Sequence, residues 1–403
     1  MTIRCGLLLT GRVCRMSRYR RKVVVIKNVK IYTEEQSFRE GEISIRDGLL
    51  ADSPADGEVL DGEQCYAVPG FIDLHLHGCM GSDVCDGSTE AVAVIAEYEA
   101  KNGITGIVPA TMTLPVKELE HILSVAAEYK KSAGEYEGGK RADLLGINME
   151  GPFISRTKKG AQDPEHVIPC SVETAERFIR ASGGLVKFIG IAPEDNPEYA
   201  EFIRALKGRV NISLAHTNAG YRKAMEAFRT GANHAVHLFN AMPPFHHRDP
   251  GVVGAVADSS HVYAELICDG VHIHPAVVRA VFSMLGKERI VFISDSMRAT
   301  GMPDGTYTLG GLEVKVEGKK AVLASDGALA GSASTLADCV RTAVKEMDIP
   351  LEDAVACASV NPARCLGIYG ERGSLSTGKK ADIVLLDKEL RVKAVIKDGR
   401  RIR

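Results

Sequence analysis

Between residues 71 and 347 of this 403-residue chain, short apolar runs alternate with longer amphipathic ones, and that rhythm restricts the fold more than any other feature. Runs of strand length stand at 71–76, 104–108, 144–149, 186–191, 210–215, 235–239, 262–268 and 290–293. Helical periods separate them at 89–101, 117–131, 172–182, 198–207, 221–230, 275–285 and 334–347. A repeated strand-then-helix unit covers both faces of a parallel sheet with helices. Repeated eight times, it predicts an α/β protein built on a (β/α)8 barrel of the TIM type. An open doubly wound sheet would carry a glycine-rich phosphate turn after its first strand, where His75-Leu76-His77 stands instead. Residues 306–324 read as a hairpin inserted before the last helix.

The chain ends have a different texture. Short β patterns at 23–29, 30–32 and 41–46 return at 381–386 and 392–397, punctuated by turn pairs such as Asp47-Gly48, Asp61-Gly62 and Asp398-Gly399. They predict a small β-sandwich built from both termini, residues 23–68 plus 375–403, beside a barrel domain at 69–374. Residues 1–22 carry seven basic side chains and no acid and are expected to be a non-native or disordered extension, with Met16 as the true start.

Beyond that extension, 43 basic side chains face 52 acidic ones, a net charge of −9. With no Trp and 5% aromatics, the chain lacks a nucleic-acid footprint. No apolar run has the roughly 20 residues a membrane span needs. Ten cysteines without C-x-x-C spacing read as reduced thiols of a cytoplasmic protein.

Chemistry in such a barrel sits at the carboxyl ends of the strands. The first run ends in His75 and His77, whose alternation directs both imidazoles to one side. The third ends at Glu150, the fifth at His216, the sixth at His237 and the eighth at Asp295. Any one of them has a structural explanation; their coincidence at one rim does not. Imidazoles and carboxylates at equal depth are the donors a hydrolytic divalent metal requires, and such a set suits Zn, Fe, Ni or Mn. His121, His166 and His261 lack this placement, and His234 is expected at the far end of the barrel from His237.

Pro69-Gly70-Phe71-Ile72-Asp73-Leu74-His75-Leu76-His77-Gly78 resembles the opening strand of the amidohydrolase superfamily. Met149-Glu150-Gly151-Pro152-Phe153, Ala215-His216-Thr217-Asn218-Ala219, His237-Leu238-Phe239-Asn240-Ala241-Met242, Cys268-Asp269-Gly270-Val271-His272 and Ile293-Ser294-Asp295 extend the likeness to its branch of amino-sugar phosphate deacetylases. None of these strand ends carries the bridging Lys of the dihydroorotase and hydantoinase branches. The resemblance implies hydrolysis of the acetamide of N-acetyl-D-glucosamine 6-phosphate by a cytoplasmic homodimer. The competing readings are another N-acetyl amino sugar phosphate and a cyclic amide or nucleobase. It implies that Glu150, His216 and His237 hold the principal ion, that His75 and His77 allow a second, and that Asp295 moves protons. It also implies phosphate contacts from Arg248, His272 and the backbone at Asn240 and Ala241. Gln162 stands at a substrate-binding position where many relatives have a His that polarises the carbonyl or binds a sugar hydroxyl, and Leu329, Ala330 and Gly331 belong to a loop over the sugar.

Overall fold

Each apolar run of the middle region becomes a parallel strand in the computed structural model, which describes residues 23–52, 57–132 and 139–403. The expected basic extension, 1–22, lies outside the described residues. Phe71–Asp73 pairs with Ile104–Ile107, and Ala110–Thr111 continues that second strand to pair with Ile147–Phe153. Val186–Ile191, Asn211–Leu214, His234–Ala235, Tyr263–Ile267 and Ile290–Ile293 follow in order. The sheet curls until its edges meet. The Asp295 amide donates to the His75 carbonyl at 2.9 Å and the His77 amide to the Ser296 carbonyl at 2.7 Å. First and last strands are thereby joined at the end that carries the polar residues.

Helices Thr89–Lys101, Val116–Ser132, Val172–Ala181, Tyr199–Leu206, Tyr221–Thr230, Pro275–Leu285 and Leu336–Met347 match the amphipathic periods closely. Two helical segments escape the pattern. Gly251–Ala257 is buried at residues 251–256, so it has no polar face to reveal its period, and its two glycines lower its intrinsic propensity. The helical stretch from Leu351 to Cys365 was missed as well. The inserted hairpin is a three-stranded antiparallel sheet, Gly305–Leu309, Leu312–Glu317 and Lys320–Leu323.

Both chain ends enter one seven-stranded sheet, in which Glu58–Pro69 runs parallel to Val23–Tyr32 and antiparallel to Ile383–Leu386. Asp61-Gly62, expected as a turn, sits instead inside the long strand Glu58–Pro69, at a bulge opposite Lys27 and Val29. Glu63 and Gln64 absorb the bulge at φ values of 51° and 61°. Alternation divides the sheet. Ile26, Ile43, Ile45, Ile383 and Ile396 form a separate apolar cluster, while Tyr32, Val68, Val384 and Leu386 join the barrel core. Gly70 carries the chain from sheet to barrel, because a Cβ there would lie 2.2 Å from Thr105 Oγ1.

An ionic cluster fastens the sheet to the barrel. The ammonium of Lys397, fully buried, lies 3.2 Å from Asp143 and 3.7 Å from Asp382; Arg372 reaches the same two carboxylates at 2.6 and 3.5 Å. Burial opposes ionisation of Asp143, and Lys397, Arg372 and Lys380 outweigh it, holding the carboxyl below its ordinary range. Removing one partner leaves buried charge uncompensated. Lys397→Met should therefore lower stability by about 3–5 kcal/mol, read from denaturant unfolding. A wild-type midpoint would show that the cluster does not hold the two parts together.

Candidate functional site

At the joined rim, the strand ends bring the expected residues into one buried centre. Glu150 Oε1 lies 2.8 Å from His216 Nε2, 2.9 Å from His237 Nε2 and 3.6 Å from His75 Nε2. Asp295 Oδ1 lies 3.2 Å from His77 Nε2 and 3.6 Å from His75 Nε2. All six residues are buried, each at most 7% exposed. The regular first strand stops at Asp73, so His75 and His77 reach the centre from the irregular segment beyond it. His216, His237 and Asp295 take positive φ values of 43°, 25° and 50°. Such conformations cost non-glycine residues about 1–3 kcal/mol each and collect at functional sites. Here they turn the chain at the strand ends while aiming the side chains inward.

The backs of three imidazoles, His75, His77 and His216, explain their fronts. His77 Nδ1 donates to the Ala110 carbonyl at 3.0 Å, and His216 Nδ1 donates to the Lys158 carbonyl at 2.9 Å. His75 Nδ1 donates to Glu265 Oε2 at 3.1 Å. With Nδ1 donating, the Nε2 of each of these rings faces a carboxylate oxygen, and in its neutral form the ring presents that oxygen a bare lone pair. Lone pair facing lone pair at about 3 Å is repulsive without a cation between them. His75 Nε2 and Asp295 Oδ1 are buried without a hydrogen-bond partner, which leaves them available to the same centre. His75, Glu150 and His237, and likewise His75, His77 and Asp295, place donor atoms within 4.8 Å of one another. The residues fit a divalent metal ion.

The electrostatics agree. Burial alone would depress the His75 imidazole, yet the carboxylates of Glu265, Glu150 and Asp295 lift it to about 10. Burial would raise Glu150, and His216, His237 and His75 instead hold it well below the usual carboxylate range. Asp295 is lowered in the same way against its burial, chiefly by His77. Positive charge is favoured wherever it can be placed between these groups.

Beneath the centre lies a layer the sequence reading passed over. Glu265, fully buried on the seventh strand, accepts from His75 Nδ1, receives the His237 amide at 3.0 Å and lies 3.4 Å from His234 Nε2. His234 is thus one carboxylate away from the centre, in contrast to its expected remoteness. Short strands bring the two levels close. The available signal was Glu265 itself, a charge inside the apolar run 262–268.

The centre opens into a cavity of about 260 Å³ lined by His77, Gln162, Asn240, Ala241, His272, Leu329 and Gly331, among others. His272 Nδ1 donates to Asp269 at 2.8 Å; burial pulls the imidazole down, and that carboxylate raises it past its ordinary value. Gln162 is clamped at both ends of its amide. Its oxygen accepts the Thr113 N–H at 2.6 Å, so its nitrogen must donate to Glu150 Oε2, at 2.5 Å. Gly160, at φ 54°, lets this loop cross His216, where a Cβ would lie 3.1 Å from the ring. Two expected residues are placed elsewhere. Ala330 is fully buried in an apolar cluster with Met297 and Leu309, its N–H bonded to Ala321, while Ala328 and its neighbours Leu329 and Gly331 line the cavity. Arg248 is exposed on the 243–250 loop, donates to His247 Nε2 at 2.7 Å, and does not line the cavity.

The profile of the Amidohydrolase family matches residues 66–402. An N-acetylglucosamine-6-phosphate deacetylase of Bacillus subtilis (strain 168) is 36% identical over 377 residues, covering 92% of this chain and 94% of that protein. An N-acetylgalactosamine-6-phosphate deacetylase of Escherichia coli O157:H7 is 35% identical over 373 residues, covering 92% and 97%. A mutant N-acetyl-D-glucosamine-6-phosphate deacetylase from Mycobacterium smegmatis, solved in complex with N-acetyl-D-glucosamine-6-phosphate, matches with a TM-score of 0.86 at 32% identity. That match covers 95% of this chain and 99% of that one.

If Glu265 fixes the tautomer of His75, Glu265→Gln should weaken Zn²⁺ binding by about 10–100-fold in equilibrium dialysis while the fold persists. Wild-type affinity would separate Glu265 from the centre.

Proposed function

The chain belongs to the amidohydrolase family, and we propose that its reaction is hydrolysis of the acetamide of N-acetyl-D-glucosamine 6-phosphate to acetate and D-glucosamine 6-phosphate. The observation that carries this reading is the convergence of bare imidazole nitrogens on Glu150 and Asp295 beside a small polar cavity. In this reading Glu150, His216 and His237 hold the principal divalent ion, Zn, Fe, Ni or Mn, and His75 and His77 with Asp295 offer donors for a second. Such an ion, when bound, polarises the amide carbonyl and makes water a competent nucleophile near neutral pH.

The chain's own residues handle the protons. Asp295 lies in the cavity wall as a carboxylate held ionised by His77 and His75, so it can accept a proton from the attacking water. The same group then delivers that proton to the amine nitrogen as the carbon–nitrogen bond breaks. His272, whose imidazole Asp269 raises above its ordinary value against burial, faces the phosphate, with Asn240 and Ala241 beside it. Leu329 and Gly331 form the wall against the sugar. Gln162, assigned to the substrate by resemblance, acts here on Glu150, whose carboxylate it orients. Arg248 serves the cavity of a second copy of the chain, a homodimeric arrangement supported by its exposure outside its own cavity.

The eight described cysteines are all free, in keeping with a reducing cytoplasmic setting. Among the described residues, no helix is long and apolar enough to cross a membrane. The separate apolar cluster of the terminal sheet supports a small β-sandwich domain, 23–68 plus 375–403, beside the barrel at 69–374. The galactosamine-specific name of one close relative makes the C4 epimer the second substrate to test.

Acetate release should be fastest with N-acetyl-D-glucosamine 6-phosphate, slower with its galacto epimer, and much slower with unphosphorylated N-acetylglucosamine. Equal rates with and without phosphate would reject the assignments of His272 and Arg248. Asp295→Asn should retain the principal ion, held by Glu150, His216 and His237, yet lose about 10²–10⁴-fold in kcat; near-normal turnover would remove Asp295 from proton transfer.

A further inference from the structure

A second concavity opens at the amino ends of the barrel strands, away from the carboxyl-end site. It has a volume of about 800 Å³ and lies among Lys187 of the fourth strand, Asn211 at the start of the fifth, Asn233 just before the sixth, and His261 before the seventh. Lys207, Arg209, Arg229 and Arg364 complete its charged lining, and no carboxylate contributes to it. Five permanent cations around one cleft stand out in a body whose net charge beyond residue 22 is −9. Arg209 is neutralised by Glu176. Among the described residues, Lys187, Lys207, Arg229 and Arg364 have no carboxylate within ion-pair distance.

Cations at helix carboxyl ends complement the helix dipole, and Arg229, Arg364 and Lys207 occupy such ends. That accounts for one charge per helix and not for their convergence on a common volume. The cleft is also shaped. A Cβ on Gly231 would lie 2.7 Å from Lys207 Cδ, so the bare glycine lets the Lys207 stem lie across it. The Arg364 guanidinium is held 4.8 Å above the Tyr369 ring. Asn233 Nδ2 donates to Asn211 Oδ1 at 2.7 Å, and Asn211 Nδ2 donates to the Lys187 carbonyl at 3.3 Å. Asn233 Oδ1 remains buried without a donor, which is uncommon for a buried polar atom. The cleft therefore presents two features that suit one ligand: cations with no carboxylate in their lining and an acceptor that no described donor meets.

We propose that this cleft is a second, non-catalytic binding site for a phosphorylated sugar, whose phosphate lies among Lys207, Arg229 and Arg364 and whose hydroxyl donates to Asn233. Its volume is within the range of small-molecule sites, and guanidinium groups match phosphate oxygens in pairs. Nothing in this proposal depends on the reaction at the opposite rim.

The test uses the metal-loaded full chain and D-glucose 6-phosphate, which has no acetamide to hydrolyse, in equilibrium dialysis. Lys207→Glu/Arg229→Glu should lose one bound equivalent per subunit while its turnover at the other rim stays within twofold of wild type, the turnover also reporting an intact fold. Inorganic phosphate should bind the cleft at least tenfold more weakly than glucose 6-phosphate, because it leaves Asn233 unsatisfied. An isotherm unchanged by the double substitution, or equal affinities for the two probes, overturns the proposal.

Discussion

Three imidazole protons are spoken for on the side away from the cavity, and the organisation of the site follows from that commitment. Ala110, Lys158 and Glu265 take the Nδ1 protons of His77, His216 and His75. The opposite nitrogens are then left as acceptors facing the acceptors Glu150 and Asp295. Water cannot satisfy six buried side chains packed at these distances, so a cation is the economical resolution of the repulsion.

Holding that unfavourable meeting in place demands rigidity, and the fold supplies it at several depths. Left-handed corners at His216, His237 and Asp295 are tolerable because backbone hydrogen bonds fix the segments around them, including Asp295 N–H to His75. Below, Ile72, Leu74, Val108, Phe188, Ile267, Val291 and Ile293 form an apolar cluster with Ala363 of the closing helical stretch. Between this cluster and the centre stands Glu265, whose charge is matched by His75 and His234. At the side, the terminal sheet is fastened through Asp143, Lys397 and Arg372, which keeps the barrel's first strand in register with the long strand that feeds it. The two charged clusters have opposite uses: in one every charge is answered by protein, and in the other the protein leaves the answer to a bound ion.

Much of this was legible in one dimension. Helices with a polar face and strands between turn signals announced themselves by period, and polar residues at strand ends marked the rim, because strand-then-helix repetition ties chain position to depth in the barrel. The failures share a cause. Gly251–Ala257 is buried around its circumference and so has no period to read. Asp61-Gly62 has turn chemistry, but pairing with the strand Val23–Tyr32, Asp61 opposite Lys27, keeps the chain extended and makes a bulge of it. Ala330 was assigned with its neighbours as a block, although successive residues of an extended segment face opposite ways.

The sequence by itself determined that a barrel would form, which end would carry the chemistry, and which donor types would stand there, since these depend on local period and order along the chain. Tertiary structure alone decided which nitrogen of His75, His77 and His216 faces the carboxylates, that Gln162 grips Glu150, that His234 and Glu265 belong beneath the centre, and that Arg248 is exposed outside the cavity lining. Those outcomes depend on contacts between residues far apart in the chain, whose distances and hydrogen-bond partners no local pattern encodes.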